Sequence, residues 1–331
     1  MGIIIGVGNI IPGVSGGTLA LVLGIYERLI NALNQLSGRT VKTMLNALTF
    51  RREAVRKLRV ELERIDAYFL ALLGTGAVLA VVALSKLITY LLIEKHDPTY
   101  GFFMGLILFS IIVPYRLLKR RTVACLASAV VAAGLVYFLS TMQTSEEKLA
   151  NARLKYELKH KTSIHLPAAD GVADTPAIAV DSGQLLKFFG TGAIAISAMI
   201  LPGISGSFLM VLMGVYFDVL QSISAFNVPL LIVFTAGCGF GIVVFTKLLN
   251  FILHRYHDLT MSFLIGLMVG SLVEIWPFKH TEPVGDTLVY LNNLLPSRFG
   301  QNELLTLICF AAGGLIVLAF VAYETSNKKA T

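Results

Sequence analysis

Two stretches carry most of the chemistry open to this chain. Residues 12–17 read Pro-Gly-Val-Ser-Gly-Gly and residues 202–207 read Pro-Gly-Ile-Ser-Gly-Ser, each inside an otherwise apolar run. Proline stops a helix, and glycine permits a tight reversal with close backbone approach. A serine just after the reversal stands at the start of the next helix, where unpaired N–H groups and the positive end of the helix dipole favour an anion. Gly13, Ser15, Gly16, Gly17 and Thr18, with Gly203, Ser205, Gly206 and Ser207, are therefore expected to bind substrate through N–H and hydroxyl donors. The competing reading is that glycine, serine and proline only let membrane helices pack closely. Two copies at equivalent places favour a site.

Further residues accompany the two turns. Aligning Pro12 with Pro202 matches seven of fifteen positions, ending on Tyr26 and Tyr216, which join the binding set. A second pair of stretches, 85–110 and 246–271, shares Lys86/Lys247, His96/His257, Asp97/Asp258, Thr99/Thr260, Gly105/Gly266 and Ser110/Ser271. Lys86 and Lys247 each stand about 10–12 Å from the end of an apolar run, at 1.5 Å per helical residue. Snorkelling explains a lysine at that depth; attraction of an anion from either side explains a matched pair. Arg28, beside Glu27, serves either a lipid head group or an interfacial ion pair. Asp97 and Asp258 are expected to cap the helices that follow them. His254 and His257 are spaced for one helix face, but no third ligand accompanies them, so no metal is expected. Glu274 is a candidate carrier of a coupling proton, and Trp276 an interface anchor.

These residues need a membrane to hold them. The chain has 331 residues, 56% of them hydrophobic and 14% charged, with a mean hydropathy of +0.76, far from the usual soluble mixture. Apolar runs of spanning length cover about 66–93, 100–115, 122–141, 227–253, 260–278 and 304–323, giving six expected crossings. The broken segments, about 3–33 and 187–222, are left outside that count. Cys125, Cys238 and Cys309 lie in apolar runs without ligand spacing and read as packing residues. Nothing calls for a cofactor.

Charge supplies the orientation. The net charge of +7 is concentrated in 37–66, where eight Lys/Arg face four acids, and in Arg116, Lys119, Arg120 and Arg121. Both clusters read as cytoplasmic, and the loop 145–183, five basic against six acidic, as external. The excess marks topology and not a nucleic-acid partner. Residues 50–65, with Ala54, Leu58, Leu62 and Ile65 on one face, form either a helix on the inner leaflet or a solvated loop helix. No Lys or Arg precedes Arg28, so the first apolar segment is expected to belong to the mature protein.

The fold class expected is an all-α integral membrane protein of two inverted repeats, each a re-entrant helical hairpin followed by three transmembrane helices. If each hairpin returns to its own side, a repeat crosses three times, and an odd count inverts the second repeat. If the broken segments cross fully, the repeats run parallel. Residues 1–144 form the first repeat, 145–183 the external polar loop and 184–331 the second repeat, with the C-terminus cytoplasmic.

The letters "NIIPGVSGGTLALVLGIYERLI" and "LPGISGSFLMVLMGVY" resemble the PopT-type family of bacterial membrane proteins. That resemblance implies a translocase of undecaprenyl phosphate or a related polyprenyl phosphate, returning the carrier lipid between leaflets of the cytoplasmic membrane. It implies no enzymatic step. Members usually carry further, often basic, residues before the first motif, so a truncated start or a missing N-terminal anchor is expected here. The partners implied are the polyprenyl-phosphate lipid, the bilayer and a coupling ion, proton or sodium. Two other readings stay open: a secondary transporter of a small anion, and a lipid-pyrophosphate phosphatase similar to the BacA type. The second is disfavoured because no paired glutamates accompany Ser15 and Ser205. Oligomeric state is not legible in the sequence.

Overall fold

The computed structural model describes residues 1–10, 15–49, 51–142, 144–164, 181–285, 287–296 and 298–330. In chain order the first series of helices is α1 (Gly2–Ile10), α2 (Gly16–Val22), α3 (Tyr26–Asn34), α4 (Gly38–Ala47), α5 (Arg52–Arg64), α6 (Ala67–Glu94), α7 (His96–Ser110), α8 (Ile112–Leu117), α9 (Val123–Thr141) and α10 (Ser145–Ile164). The second is α11 (Ser182–Ile200), α12 (Gly206–Leu212), α13 (Tyr216–Ser224), α14 (Val228–Arg255) and α15 (His257–Ser271). It continues through strands β1 (Lys279–Val284) and β2 (Thr287–Asn293) to α16 (Gln301–Ala330).

Element lengths repeat between the series. Helices α2 and α12 have 7 residues each, α3 and α13 have 9, α6 and α14 have 28, and α7 and α15 have 15. The junctions repeat as well. Lys95 (φ −130°, ψ 44°) breaks α6 from α7, and Tyr256 (φ −131°, ψ 49°) breaks α14 from α15. At each break a threonine hydroxyl spans the gap, Thr99 donating to the Leu91 and Lys95 carbonyls and Thr260 to those of Ile252 and Tyr256.

Packing then exchanges partners between the series. Helix α1 lies along α6 and α11 along α14, but α7 packs on α16 and α15 on α9. The shared Gly105 and Gly266 make this possible: a Cβ on Gly105 would strike the Phe310 carbonyl of α16, and one on Gly266 the Ala129 carbonyl of α9. Small residues at such seams let backbones approach where the hydrophobic effect gives membrane helices no drive to associate. Met261, Leu264, Leu267 and Met268 of α15 are all buried, so this helix forms the centre of the protein.

Among the described residues, six helical segments are long and apolar enough to cross a membrane: Ala67–Leu84, His96–Leu117, Val123–Thr141, Ser182–Ile200, Val228–Arg255 and Gln301–Tyr323. The count agrees with expectation while the membership differs. Helix α11 qualifies. The run 260–278 does not, because its helix stops at Ser271 after 15 residues, about 22 Å at 1.5 Å each and short of a hydrocarbon core of about 30 Å. Apolar Leu272, Val273 and Ile275 continue the run in sequence only.

Four other expectations are corrected. The fold is not all helical, since β1 and β2 pair as an antiparallel hairpin turning at Gly285, φ +57°. The second arm of each broken segment is not one helix: α2 ends before Gly24 (φ +66°) and α12 before Gly214 (φ +65°), and the axes of α12 and α13 differ by 110°. Asp97 and Asp258 cap nothing. Asp97 accepts from His96 and from Asn302 Nδ2 (2.7 Å), and Asp258 accepts the Lys119 and Arg120 N–H groups at 2.9 and 3.0 Å. His254 and His257 fall on different helices, α14 and α15, across the break at Tyr256.

The basic insertion folds on itself. Ala54, Leu58 and Leu62 of α5 are half-buried and Ile65 is buried. Helix α5 packs against α4, and a buried Glu61 joins the two. Thr40 donates to its carboxylate at 2.6 Å and Arg64 binds it at 2.5 Å. The Arg64 guanidinium and the Thr40 hydroxyl hold the Glu61 carboxyl down at about 2.

Candidate functional site at the paired turns

The two turns meet. Ser15 Oγ donates to the carbonyls of Met199 and Leu201 at 3.2 and 3.1 Å. Thr18 Oγ1 in return accepts the Gly203 N–H at 3.1 Å. A Cβ on Gly17 would collide with the Ile200 carbonyl, and Gly203 holds φ +81° with the Leu267 carbonyl 2.5 Å from where its Cβ would be. The turn-to-turn contact requires glycine at 17, and the approach to α15 with the left-handed backbone requires it at 203. Pro12 and Gly13 lie outside the described residues.

The turns differ in how their donors are used. In the first, Gly16 N–H reaches Asn9 Oδ1 at 3.0 Å and Gly17 N–H reaches Ser15 Oγ at 3.2 Å. Ser15, Gly16, Gly17 and Thr18 are all buried, so this turn is closed. In the second, Ser205 makes no side-chain cap, and its hydroxyl lies 2.9 Å from that of Ser207. Both serines line a cavity of about 780 Å³. Both following helices have only 7 residues. Hydroxyl and N–H donors, more than the dipole of a long helix, are what this turn offers an anion.

Gly203, Gly206 and Tyr216 also line the cavity, and Ser15 and Asn9 reach it from the first turn. Tyr26, the counterpart of Tyr216, is instead buried, with its hydroxyl unpartnered. Lys86 and Lys247 are exposed on α6 and α14 and are not among the lining residues. Arg28 is engaged elsewhere: its guanidinium holds Asp66 at 2.7 and 3.1 Å and lies 4.3 Å from the Phe69 ring centre. An ion pair is one of its two expected readings, but the partner is Asp66 and not the neighbouring Glu27.

Sequence reasoning missed several contributors. Lys148 and Asn151 of α10 and Tyr290 of β2 line the cavity, together with Glu274, which the sequence did single out. Asn9, a lone amide in an apolar segment, carries a signal that the motif reading passes over, whereas Lys148 stands in a polar segment with no motif. A second, smaller pocket of about 180 Å³ is lined by Glu27, Asn31, Lys119, Asn250, His254 and His257. There His257 Nε2 approaches Glu27 Oε1 to 3.5 Å.

A family profile described as undecaprenyl phosphate translocase-like, VCA0040-like, matches residues 5–288. The chain belongs to that family. It is 30% identical to a polyprenyl-phosphate transporter of Vibrio cholerae, over 97% of this chain and 94% of that one. It is also 30% identical to a polyprenyl-phosphate transporter of Staphylococcus aureus, over 86% of this chain and 87% of that one. No solved structure matches it. With its apolar helices, this makes the chain a multi-pass membrane protein of a transporter family.

Proposed function

We propose that this protein carries undecaprenyl phosphate, or a related polyprenyl phosphate, between the leaflets of the bacterial cytoplasmic membrane by alternating access. The observation that carries the reading is the second turn, where Ser205 and Ser207 face a 780 Å³ cavity and their hydroxyls, among the described residues, bond only to each other. A phosphate monoester needs several convergent donors once it leaves water. Ser205, Ser207 and the Gly206 N–H supply them at the cavity, and Tyr216 adds a hydroxyl beside them. Gly13, Ser15, Gly16, Gly17, Thr18 and Tyr26 form the equivalent station, of which Ser15, Gly16, Gly17, Thr18 and Tyr26 are buried here, and it opens in the alternate state. The isoprenoid tail remains in lipid, so only the charge requires shelter.

Two inverted repeats, each with a re-entrant hairpin, give this arrangement its symmetry. The matching element lengths and the exchanged packing of α7 and α15 support it. In this orientation α10 and the β hairpin are external, the helices α4 and α5 and the C-terminus are cytoplasmic, and the cavity opens outward. Lys86 and Lys247 lie off the cavity and draw head groups to the protein surface, while Arg28 is held by Asp66. A coupling ion, proton or sodium, fits the scheme, with Glu274 the carboxylate at the cavity wall.

The test is leaflet exchange of polyprenyl phosphate in liposomes containing the purified protein. S205A/S207A is expected to slow exchange by at least tenfold while the protein stays folded. Undiminished exchange, or transport of inorganic phosphate without lipid exchange, overturns the reading.

A further inference from the structure

Lys148 is the only cationic side chain among the described residues lining the cavity. It comes from the polar segment 145–183, to which the reading above assigns no part. Its position is well determined by local chemistry. Thr144 and Glu147 form a reciprocal capping box, Glu147 N–H donating to Thr144 Oγ1 at 3.2 Å and Thr144 N–H to Glu147 Oε2 at 3.1 Å. This pattern fixes the start of a helix and sets Lys148 in the first turn of α10. The box also engages the Glu147 carboxylate, the nearest acid in sequence. Helix α10 packs on both strands of the β hairpin, and Ser145 Oγ meets Asn292 Oδ1 at 3.3 Å.

A second ammonium lies close by. Lys279 Nζ donates to the Glu274 carbonyl at 2.5 Å and stands 5.8 Å from the Tyr100 ring centre. Burial pushes its ammonium down from the ordinary value; the Glu274 carboxylate opposes this and the charge of Lys148 adds to it. Lys148 and Lys279 stand on elements that pack together, α10 and β1, and Glu274 is the one carboxylate among the described residues lining the cavity. Lys279 itself is not among the described lining residues, so the wall carries one ammonium, Lys148, and one carboxylate, Glu274, which form no salt bridge with each other. No salt bridge among the described residues engages Lys148.

We propose that Lys148 is the entry station for a phosphate monoester: α10 holds its ammonium over the cavity, where it captures the head group and passes it to Ser205 and Ser207. Glu274, sharing the cavity, keeps that capture weak enough for hand-over. This rests on the translocase reading and names a specificity residue within it, in a segment outside both turns.

The experiment measures binding of a fluorescent polyprenyl phosphate, and of the uncharged polyprenol, to the full chain in nanodiscs at several salt concentrations, with inorganic phosphate as competitor. Expected for K148M is a five- to tenfold weaker binding of polyprenyl phosphate, a flatter salt dependence, and unchanged polyprenol binding. K148R is expected to retain wild-type affinity and E274Q to bind the phosphate more tightly. Inorganic phosphate is expected to compete weakly with wild type and not with K148M. Binding by K148M within twofold of wild type, or equal losses of both lipids, overturns the proposal. If K148M binds normally while S205A/S207A abolishes exchange, this inference alone fails. If wild type binds polyprenol as well as polyprenyl phosphate, the translocase reading fails first.

Discussion

Ser15 and Ser205 occupy equivalent letters and do different work. Ser15 donates across to the Met199 and Leu201 carbonyls and caps Gly17, while Ser205 meets only Ser207. Removing a buried hydroxyl that satisfies backbone groups costs about 1–3 kcal/mol, whereas a change at a site without such bonds costs under about 0.5 kcal/mol. S15A is therefore expected to lower the thermal unfolding midpoint in detergent, and S205A to leave it in place while slowing lipid exchange. Equal midpoints for the two variants would remove the asymmetry. Both turns were legible because helix breakers in an apolar run contradict their surroundings. Which turn is closed was not legible, since it depends on Asn9 and Thr18 reaching partners that sequence spacing cannot supply. Lys86 and Lys247 drew attention as charges within apolar runs, yet burial and not sequence depth decides what a side chain faces. The cavity's lysine came from a polar loop.

At the scale of elements, the paired glycines Gly24 and Gly214 set the geometry of the arms. Both hold a left-handed backbone, and at Gly214 a Cβ would meet no atom within 4 Å. The cost of G214A is thus conformational alone, about 1–2 kcal/mol, and G214N is expected to recover part of it, as read by thermal unfolding. Substituting two neighbours at once would not separate these terms. The insertion hairpin offers a second check. Glu61 has its pKa held at about 2 by Arg64 and Thr40, below the unfolded value of a carboxyl. Its contribution is complete above about 4.3 and is lost as pH falls toward about 2. Hydrogen exchange of α4 and α5 is expected to accelerate over that window in wild type and to lose this dependence in E61Q. The amphipathic pattern of residues 50–65 was readable, but its partner was not: α4 carries an apolar face too, yet its Val41, Met44 and Leu45, with Leu48 at its end, stay exposed, and the buried Glu61 that joins the helices lies outside the apolar pattern.

For the whole molecule, what matters is which helices exchange partners. Helix α7 packs on α16 and α15 on α9, so each series encloses its short central helix with the last long helix of the other. Chains covering 1–164 and 181–331, produced together, are expected to co-purify as an assembly, and each alone to aggregate. Independent folding of either piece, seen as a monodisperse species on size exclusion, would contradict this. The repeat in the sequence announced two similar series; the exchange was hidden because Gly105 and Gly266 mark a close approach without saying to what. Clasped in this way, the two series resemble hands with interlaced fingers. Neither can rock as a block without prising open both seams together, which leaves the short arms at the paired turns, pivoting on single glycines, as the cheapest part of the protein to move.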